Sequence, residues 1–283
     1  ILHSCQNLES KGFEITYLDV DKNGFVNLQT LESSIRQDTI LISVMFANNE
    51  IGTIEPIQEI AKIAHKNGII FHTDAVQACG NIPIDVQKMD IDMLSLSGHK
   101  IYAPKGIGAL YVKKGIEFER FMDGGHQEKN KRSGTENVAE IVALGKACQI
   151  AEKNMEQYQN KLRQLRDYCL EKMKKSFPNI HINGTMEKRL PGNINISFEG
   201  QDATELLYKL DEMGICASGG SACSSGDNSP SHVLTAIGLP SELAKGAIRF
   251  TFGDFNTKDD VDYLIAAIAH LIPSTAADII PPA

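Results

Sequence analysis

Apolar residues recur along this chain in two rhythms. Residues 39–46 (Thr-Ile-Leu-Ile-Ser-Val-Met-Phe) and 68–72 (Gly-Ile-Ile-Phe-His) are short β-rich runs, and Met93, Leu94 and Leu96 mark a third. Such runs suit buried strands. Between the first two, residues 56–67 open on Pro56, carry apolar side chains three and four apart, and stop before Gly68, which predicts a helix. Strand, helix and strand at this spacing form a right-handed crossover unit, so the sheet is expected to be mostly parallel. Residues 106–112 predict one more strand, antiparallel because so little chain separates it from its predecessor.

Upstream, residues 1–12 read as an amphipathic helix closed by Gly12, residues 13–18 alternate like a strand, Asp21-Lys22-Asn23-Gly24 reads as a turn, and 28–36 as a short helix. Helical periodicity then runs from Ala139 to about Lys175 with no proline and no glycine after Gly145. That is long for a globular helix, so a domain boundary is placed inside it near 155. Residues 156–283 read as a smaller α/β domain, with strands over 193–198 and 246–252 and helices over 203–213 and 257–271.

Composition narrows the class. The 283 residues are enough for two domains, and the contents of 42% hydrophobic and 23% charged residues are ordinary for a globular protein. A net charge of −8 without a basic block argues against nucleic acid or an anionic membrane as partner. No apolar run approaches the roughly 20 residues that cross a bilayer. The six cysteines (5, 79, 148, 169, 216 and 223) form no C-x-x-C pair and no metal-ligand spacing, which points to free thiols in a reducing cytoplasm. The chain starts at Ile1 and enters a helix at once, which reads as the middle of a fold.

The three apolar runs end alike. The first stops at Ala47-Asn48-Asn49-Glu50-Ile51-Gly52, the second at Thr73-Asp74-Ala75-Val76-Gln77, and the third at Ser97-Gly98-His99-Lys100. In open parallel sheets, ligands sit beyond the carboxyl ends of the strands. A lysine there suits covalent attachment of pyridoxal phosphate, and a carboxylate at a neighbouring tip suits its pyridine nitrogen. Taken singly, Lys100 is a surface ion and Asp74 a helix N-cap. Together they favour the cofactor.

Two loops stand out. Residues 122–137 are glycine-rich with clustered cations; a solvated connection and an anion or subunit contact through Ser133 and Thr135 are evenly matched. Residues 217–230 surround Cys223 with Gly and Ser and offer nothing to bury it, unlike the settings of Cys79, Cys148 and Cys169. An exposed thiol can be a nucleophile, a persulfide carrier or a disulfide partner.

The motifs at 47–52, 72–77 and 97–100, with Arg132-Ser-Gly-Thr-Glu-Asn137 and Gly220-Ser-Ala-Cys-Ser224, occur in one order. That combination resembles the cysteine desulfurases of the NifS/IscS type, which are class V enzymes, over essentially the whole chain. The resemblance implies the α/β architecture of pyridoxal-phosphate fold-type I (aspartate-aminotransferase-like). Residues 1–155 would be the remaining part of a large cofactor domain with a mostly parallel sheet, and 156–283 a small C-terminal domain carrying the cysteine loop. It implies that Lys100 carries the cofactor and moves protons, Asp74 pairs with the pyridine nitrogen, and Gln77 hydrogen-bonds the ring's phenolic oxygen. Ser97 and His99 would hold the phosphate, Thr135 would reach the phosphate of a partner subunit in a homodimer, and Asn49 would position the ring or substrate. Arg249, by itself an edge ion pair, would grip the carboxylate of L-cysteine. Cys223 would take the sulfur as a persulfide while L-alanine leaves. The long polar run after it resembles the subgroup that donates to an iron–sulfur scaffold protein or another sulfur acceptor. No resident metal is expected; Cys223 would at most ligate a cluster on the scaffold transiently.

Three departures accompany the resemblance. About the first hundred residues of the fold are expected to be absent, with the Gly-Thr-Glu phosphate turn and the ring-stacking histidine; His3 is offset from that position. His126 replaces a glycine, and Phe250-Thr251 replaces a serine-containing version. The alternatives are another class V enzyme (a selenocysteine lyase or aminotransferase) and a non-catalytic fragment that docks a sulfur acceptor. The thiol in its Gly/Ser loop argues against a plain aminotransferase.

Overall fold

The computed structural model describes residues 1–220 and 231–272. After α1 (Leu2–Glu9) and α2 (Leu28–Ser33), the chain forms β1 (Leu41–Met45), α3 (Ile57–Lys66), β2 (Ile70–Asp74), β3 (Met93–Ser97) and β4 (Gly108–Val112). The four strands make one sheet in the order β1-β2-β3-β4; the first three are parallel and the last is antiparallel, as the spacing predicts. Helix α3 buries Ile57, Ile60, Ala61 and Ala64 against Ile42, Phe71 and Leu94 of this sheet. Each large side chain so buried contributes roughly 1.5–3 kcal/mol.

Residues 13–18 do not form a strand, and Phe13 and Tyr17 are exposed. Alternation alone makes no ladder, and β1 pairs only with β2. The turn at 21–24 is present: Asp21 Oδ1 accepts the N–H groups of Asn23 and Phe25. A short turn, α4 (Gln127–Asn130), follows, with left-handed backbone at Glu128 and Lys129.

Helix α5 (Val138–Ser176) runs 39 residues without a break. Its first part packs Leu144 and Ala147 on Ile101, and from Leu162 onward it belongs to a different core. That core joins Leu165, Cys169 and Met173 to the antiparallel sheet of β5 (Ile180–Ile182), β6 (Asn193–Phe198) and β7 (Ala247–Thr251). Helix α6 (Ala203–Glu212), α7 (His232–Ala236), α8 (Ser241–Lys245) and α9 (Lys258–Leu271) complete this part, with a capping box at Thr257 and Asp260 starting the last. The short elements β5, α7 and α8 were not expected from the sequence.

Every residue of β6 is buried. Ile194, Ile196 and Phe198 enter the helical core. Asn193, Asn195 and Ser197 alternate with them and so face the other way, where they meet the 47–54 loop and a buried polar network. Arg189, 4% exposed, sits in that network and donates to the carbonyls of Asn183, Thr185 and Asn193. Burial, and then the like charge of Arg166, pull its pKa down to about 9.

Candidate active site

Three strand ends converge because parallel strands finish on the same edge of the sheet. Met45 is level with Asp74, and Asp74 with Ser95. Beyond β1, Asn48 Oδ1 accepts the N–H groups of Glu50 and Ile51, closing a tight turn that presents Asn49. Gly52 completes it at φ +74°, where any added Cβ would lie 2.7 Å from Asn193 Oδ1. Glycine is required there on both counts.

Beyond β2, Asp74 Oδ1 accepts the Val76 N–H at 3.0 Å, closing a local turn; no helix follows for it to cap. Its other oxygen has no hydrogen bond among the described residues. Gln77 is half-buried with its side chain similarly free among the described residues. On the same face of β2, His72 bridges the sheet: Nδ1 meets Ser43 Oγ at 2.8 Å and Nε2 meets Ser95 Oγ at 2.9 Å. Burial holds its pKa below the usual histidine range, with Asp74 countering. The parity of positions 72 and 74 was the only hint of this in the sequence.

Beyond β3, a 3-10 turn (Gly98–Ile101) carries His99 and Lys100. Gly98 permits it: its N–H donates to the Ile107 carbonyl at 2.9 Å, and a Cβ there would stand 3.0 Å from that oxygen. Ser97 Oγ and His99 Nδ1 lie 2.8 Å apart. Lys100 is exposed, has no ion pair among the described residues, and lines a cavity of about 710 Å³ bounded by α5 and Tyr102. Asp74, Gln77 and Arg249 lie outside that cavity.

Tyr102 ends the turn in the left-handed region at φ 63°. Its hydroxyl meets Tyr158 Oη at 3.1 Å and accepts the Asp254 N–H at 2.9 Å, tying the lysine turn to the segment after β7. Tyr158 is pushed well above the usual phenol range, first by burial and then by Tyr102. Sequence reasoning missed this link.

Arg249 points at the same region from β7. Its guanidinium donates to the Asn49 carbonyl at 2.6 Å, joining two motif residues 200 positions apart. It makes no salt bridge among the described residues, so the edge ion pair is not found. Burial lowers its pKa and Glu50 counters that.

The 122–137 loop, left open between two readings, is informative at one residue. Ser133 is buried, and its hydroxyl donates to the Met122 and Asp123 carbonyls, so it is committed to its own loop rather than to an anion. Thr135 is exposed. Cys223 falls outside the described residues. The described cysteines, 5, 79, 148, 169 and 216, are all free thiols, and no group of metal-binding side chains occurs among the described residues.

This arrangement of strand-end motifs matches a known family. The family model "Aminotransferase class-V" covers residues 1–264. The chain belongs to the aminotransferase class-V family. Within the class-V family, it is 50% identical over 272 residues to the "Cysteine desulfurase IscS" of Dictyoglomus turgidum, covering 96% of this chain and 69% of that protein. A solved "NIFS-like protein" superposes with a TM-score of 0.89 at 34% identity, over 95% of this chain and 71% of its own. A second, "SspA in complex with cysteine", superposes with a TM-score of 0.76 at 38% identity, over 90% and 71%. The class-V architecture here is thus the α/β fold-type I arrangement.

Proposed function

We propose that this chain is a pyridoxal-phosphate-dependent cysteine desulfurase that moves sulfur from L-cysteine to its own Cys223. The observation that carries the reading is the contact of Arg249 with Asn49 beside the strand ends that bear Asp74 and Lys100. It brings a carboxylate-binding guanidinium to the edge where a cofactor would sit.

The side chains fit that cofactor. Asp74 offers a carboxylate oxygen for a pyridine nitrogen, Lys100 an exposed amine with no ion pair among the described residues, and Ser97 and His99 a polar pair at the turn for phosphate. Gln77 and Asn49 would address the ring, and Thr135 the phosphate in a second subunit. When bound, pyridoxal phosphate supplies an electron-accepting ring that eases loss of the substrate's α-proton.

The protein's own work follows from this. Arg249 holds the substrate carboxylate, and the Lys100 amine takes and returns the proton at the substrate's Cα. The Cys223 thiolate attacks the substrate sulfur: an S–S bond forms, the Cβ–S bond breaks, and its electron pair stays on Cβ, which gains a proton. L-Cysteine and a thiol thereby become L-alanine and a persulfide. An iron–sulfur scaffold or other sulfur acceptor would then collect the sulfur. Val138, Ile141, Val142 and Phe121 expose apolar surface around the start of α5, which favours a homodimer. The free thiols fit a reducing cytoplasm.

Intact-mass measurement with borohydride reduction, and L-alanine release from L-cysteine, test the reading. Cofactor mass on Lys100, lost in Lys100→Ala, and a persulfide on Cys223, lost in Cys223→Ser, are expected. A persulfide that survives Cys223→Ser, or cofactor attached to another lysine, would overturn it.

A further inference from the structure

Glu50 lies in the motif that supplies Asn49, yet the chemistry above gives its side chain nothing to do. It is 1% exposed. A carboxylate is buried at a cost unless neighbours compensate it. Its Oε2 accepts a hydrogen bond from Ser231 Oγ. That hydroxyl is itself aimed, because it also accepts the N–H groups of Val233 and Leu234 at 3.1 and 3.4 Å. From the other side Gly220 faces the same carboxylate: a Cβ built there would stand 3.5 Å from Oε2.

The carboxylate is also fixed at its root. Glu50 donates its N–H to Asn48 Oδ1 at 2.8 Å, and its carbonyl accepts from Asn193 and Asn195 at 3.2 and 3.3 Å. The chain at Ser218 is bridged to Arg249 by two backbone hydrogen bonds, and Ser218 Oγ donates to the Gly220 carbonyl at 2.8 Å. Gly220 and Ser231 bracket the 221–230 segment that contains Cys223. One buried carboxylate therefore binds Ser231 after that segment, lies beside Gly220 before it, and is within electrostatic reach of Arg249.

We propose that Glu50 is a positioning residue for sulfur capture, holding Ser231, which follows the Cys223 segment, close to Gly220, which precedes it, and to the substrate arginine. The role rests on the desulfurase reading. Glu50 touches no substrate; it acts through Ser231, Gly220 and Arg249.

The test compares Glu50→Ala, Glu50→Gln and Ser231→Ala with the wild-type holoenzyme. Hydrogen exchange at the amides of 218–220 and 233–234 reads the anchoring without turnover, bound-cofactor absorbance reads the rest of the site, and L-alanine release gives kcat and KM. Glu50→Ala and Ser231→Ala are expected to speed exchange at both stems, and to lower kcat, by about tenfold, the size of one charge-assisted hydrogen bond, with absorbance unchanged. Glu50→Gln, which keeps an acceptor for Ser231, falls between them and the wild type. Unchanged exchange, unchanged kcat, or cofactor loss in step with the kcat loss would overturn the role. An active wild type with unaltered variants refutes Glu50 alone, whereas a wild type inert toward L-cysteine refutes the desulfurase reading and this role with it.

Discussion

Asn195 and Arg249 stand opposite each other on β6 and β7 and reach across to consecutive carbonyls of one turn. Arg249 takes the Asn49 carbonyl at 2.6 Å and Asn195 the Glu50 carbonyl at 3.3 Å. The small sheet thus grips the loop at the end of β1, and the arginine proposed for the substrate is set by the same grip.

Arg249→Lys keeps the charge and loses the fork that serves carbonyl and carboxylate together. The KM for L-cysteine is expected to rise about tenfold or more, with cofactor absorbance retained, since one charge-assisted hydrogen bond is worth roughly 1.5–3 kcal/mol. Steady-state kinetics beside an absorbance spectrum checks this; an unchanged KM would remove Arg249 from the substrate site.

Gly98→Ala places a methyl 3.0 Å from the Ile107 carbonyl and 2.9 Å from its side chain. Overpacking of this kind costs about 1–3 kcal/mol, and here the strain falls on the turn that carries Lys100. Weaker retention of cofactor on dialysis is expected, together with a lower urea midpoint.

Glu55 is a buried carboxyl whose pKa burial pushes up to about 7, against the Val26 N–H that donates to it and with Asp21 adding to the rise. A raised carboxyl pKa means the folded state holds its proton more tightly than the unfolded state. The contribution to stability is full below the unfolded value and is lost as pH rises through about 7. Glu55→Gln should flatten that slope and stabilise the protein on the alkaline side by on the order of 3 kcal/mol. Urea unfolding across the pH range measures it, and parallel curves would refute it.

Asp92 shows the opposite sign. Burial raises its carboxyl, but the Phe71 N–H at 3.0 Å, His65 at 2.6 Å and Lys113 at 3.4 Å outweigh that and hold it below the usual carboxylate range. Its stabilisation is present above the unfolded pKa and lost as pH falls through the lower folded value. His65 also pairs with Asp90 at 2.8 Å, so α3, β3 and the end of β4 are clamped together. Asp92→Asn is expected to cost about 1–3 kcal/mol at neutral pH, less than a fully buried pair because His65 and Lys113 are partly in water. Urea midpoints measured across the acid range should converge, the wild type's advantage over this variant shrinking as pH falls; a gap that stays constant would refute the assignment.

The strands that end at the motifs were legible because each is a dense β-rich run stopped by small polar residues, a local property. The helices over 57–66, 203–212 and 258–271 were legible for the same reason, through apolar spacing and caps. Residues 13–18 misled because alternation makes a strand only where a partner strand pairs with it, and among the described residues none does. The loop at 122–137 left two readings open, and Ser133 was decided by carbonyls ten and eleven residues back in its own chain.

By itself the sequence determined the parallel sheet, the order of the motifs, and the residue types at the strand tips, since these depend on side-chain pattern and turn chemistry along short stretches. Tertiary structure alone decided that Arg249 meets Asn49, that Glu50 is buried between Gly220 and Ser231, that Tyr102 reaches Tyr158, and that α5 continues unbroken from one core into the other. Those contacts join positions 56 to 200 residues apart or more than one core. Their geometry is set by how two sheets pack, which no local pattern encodes.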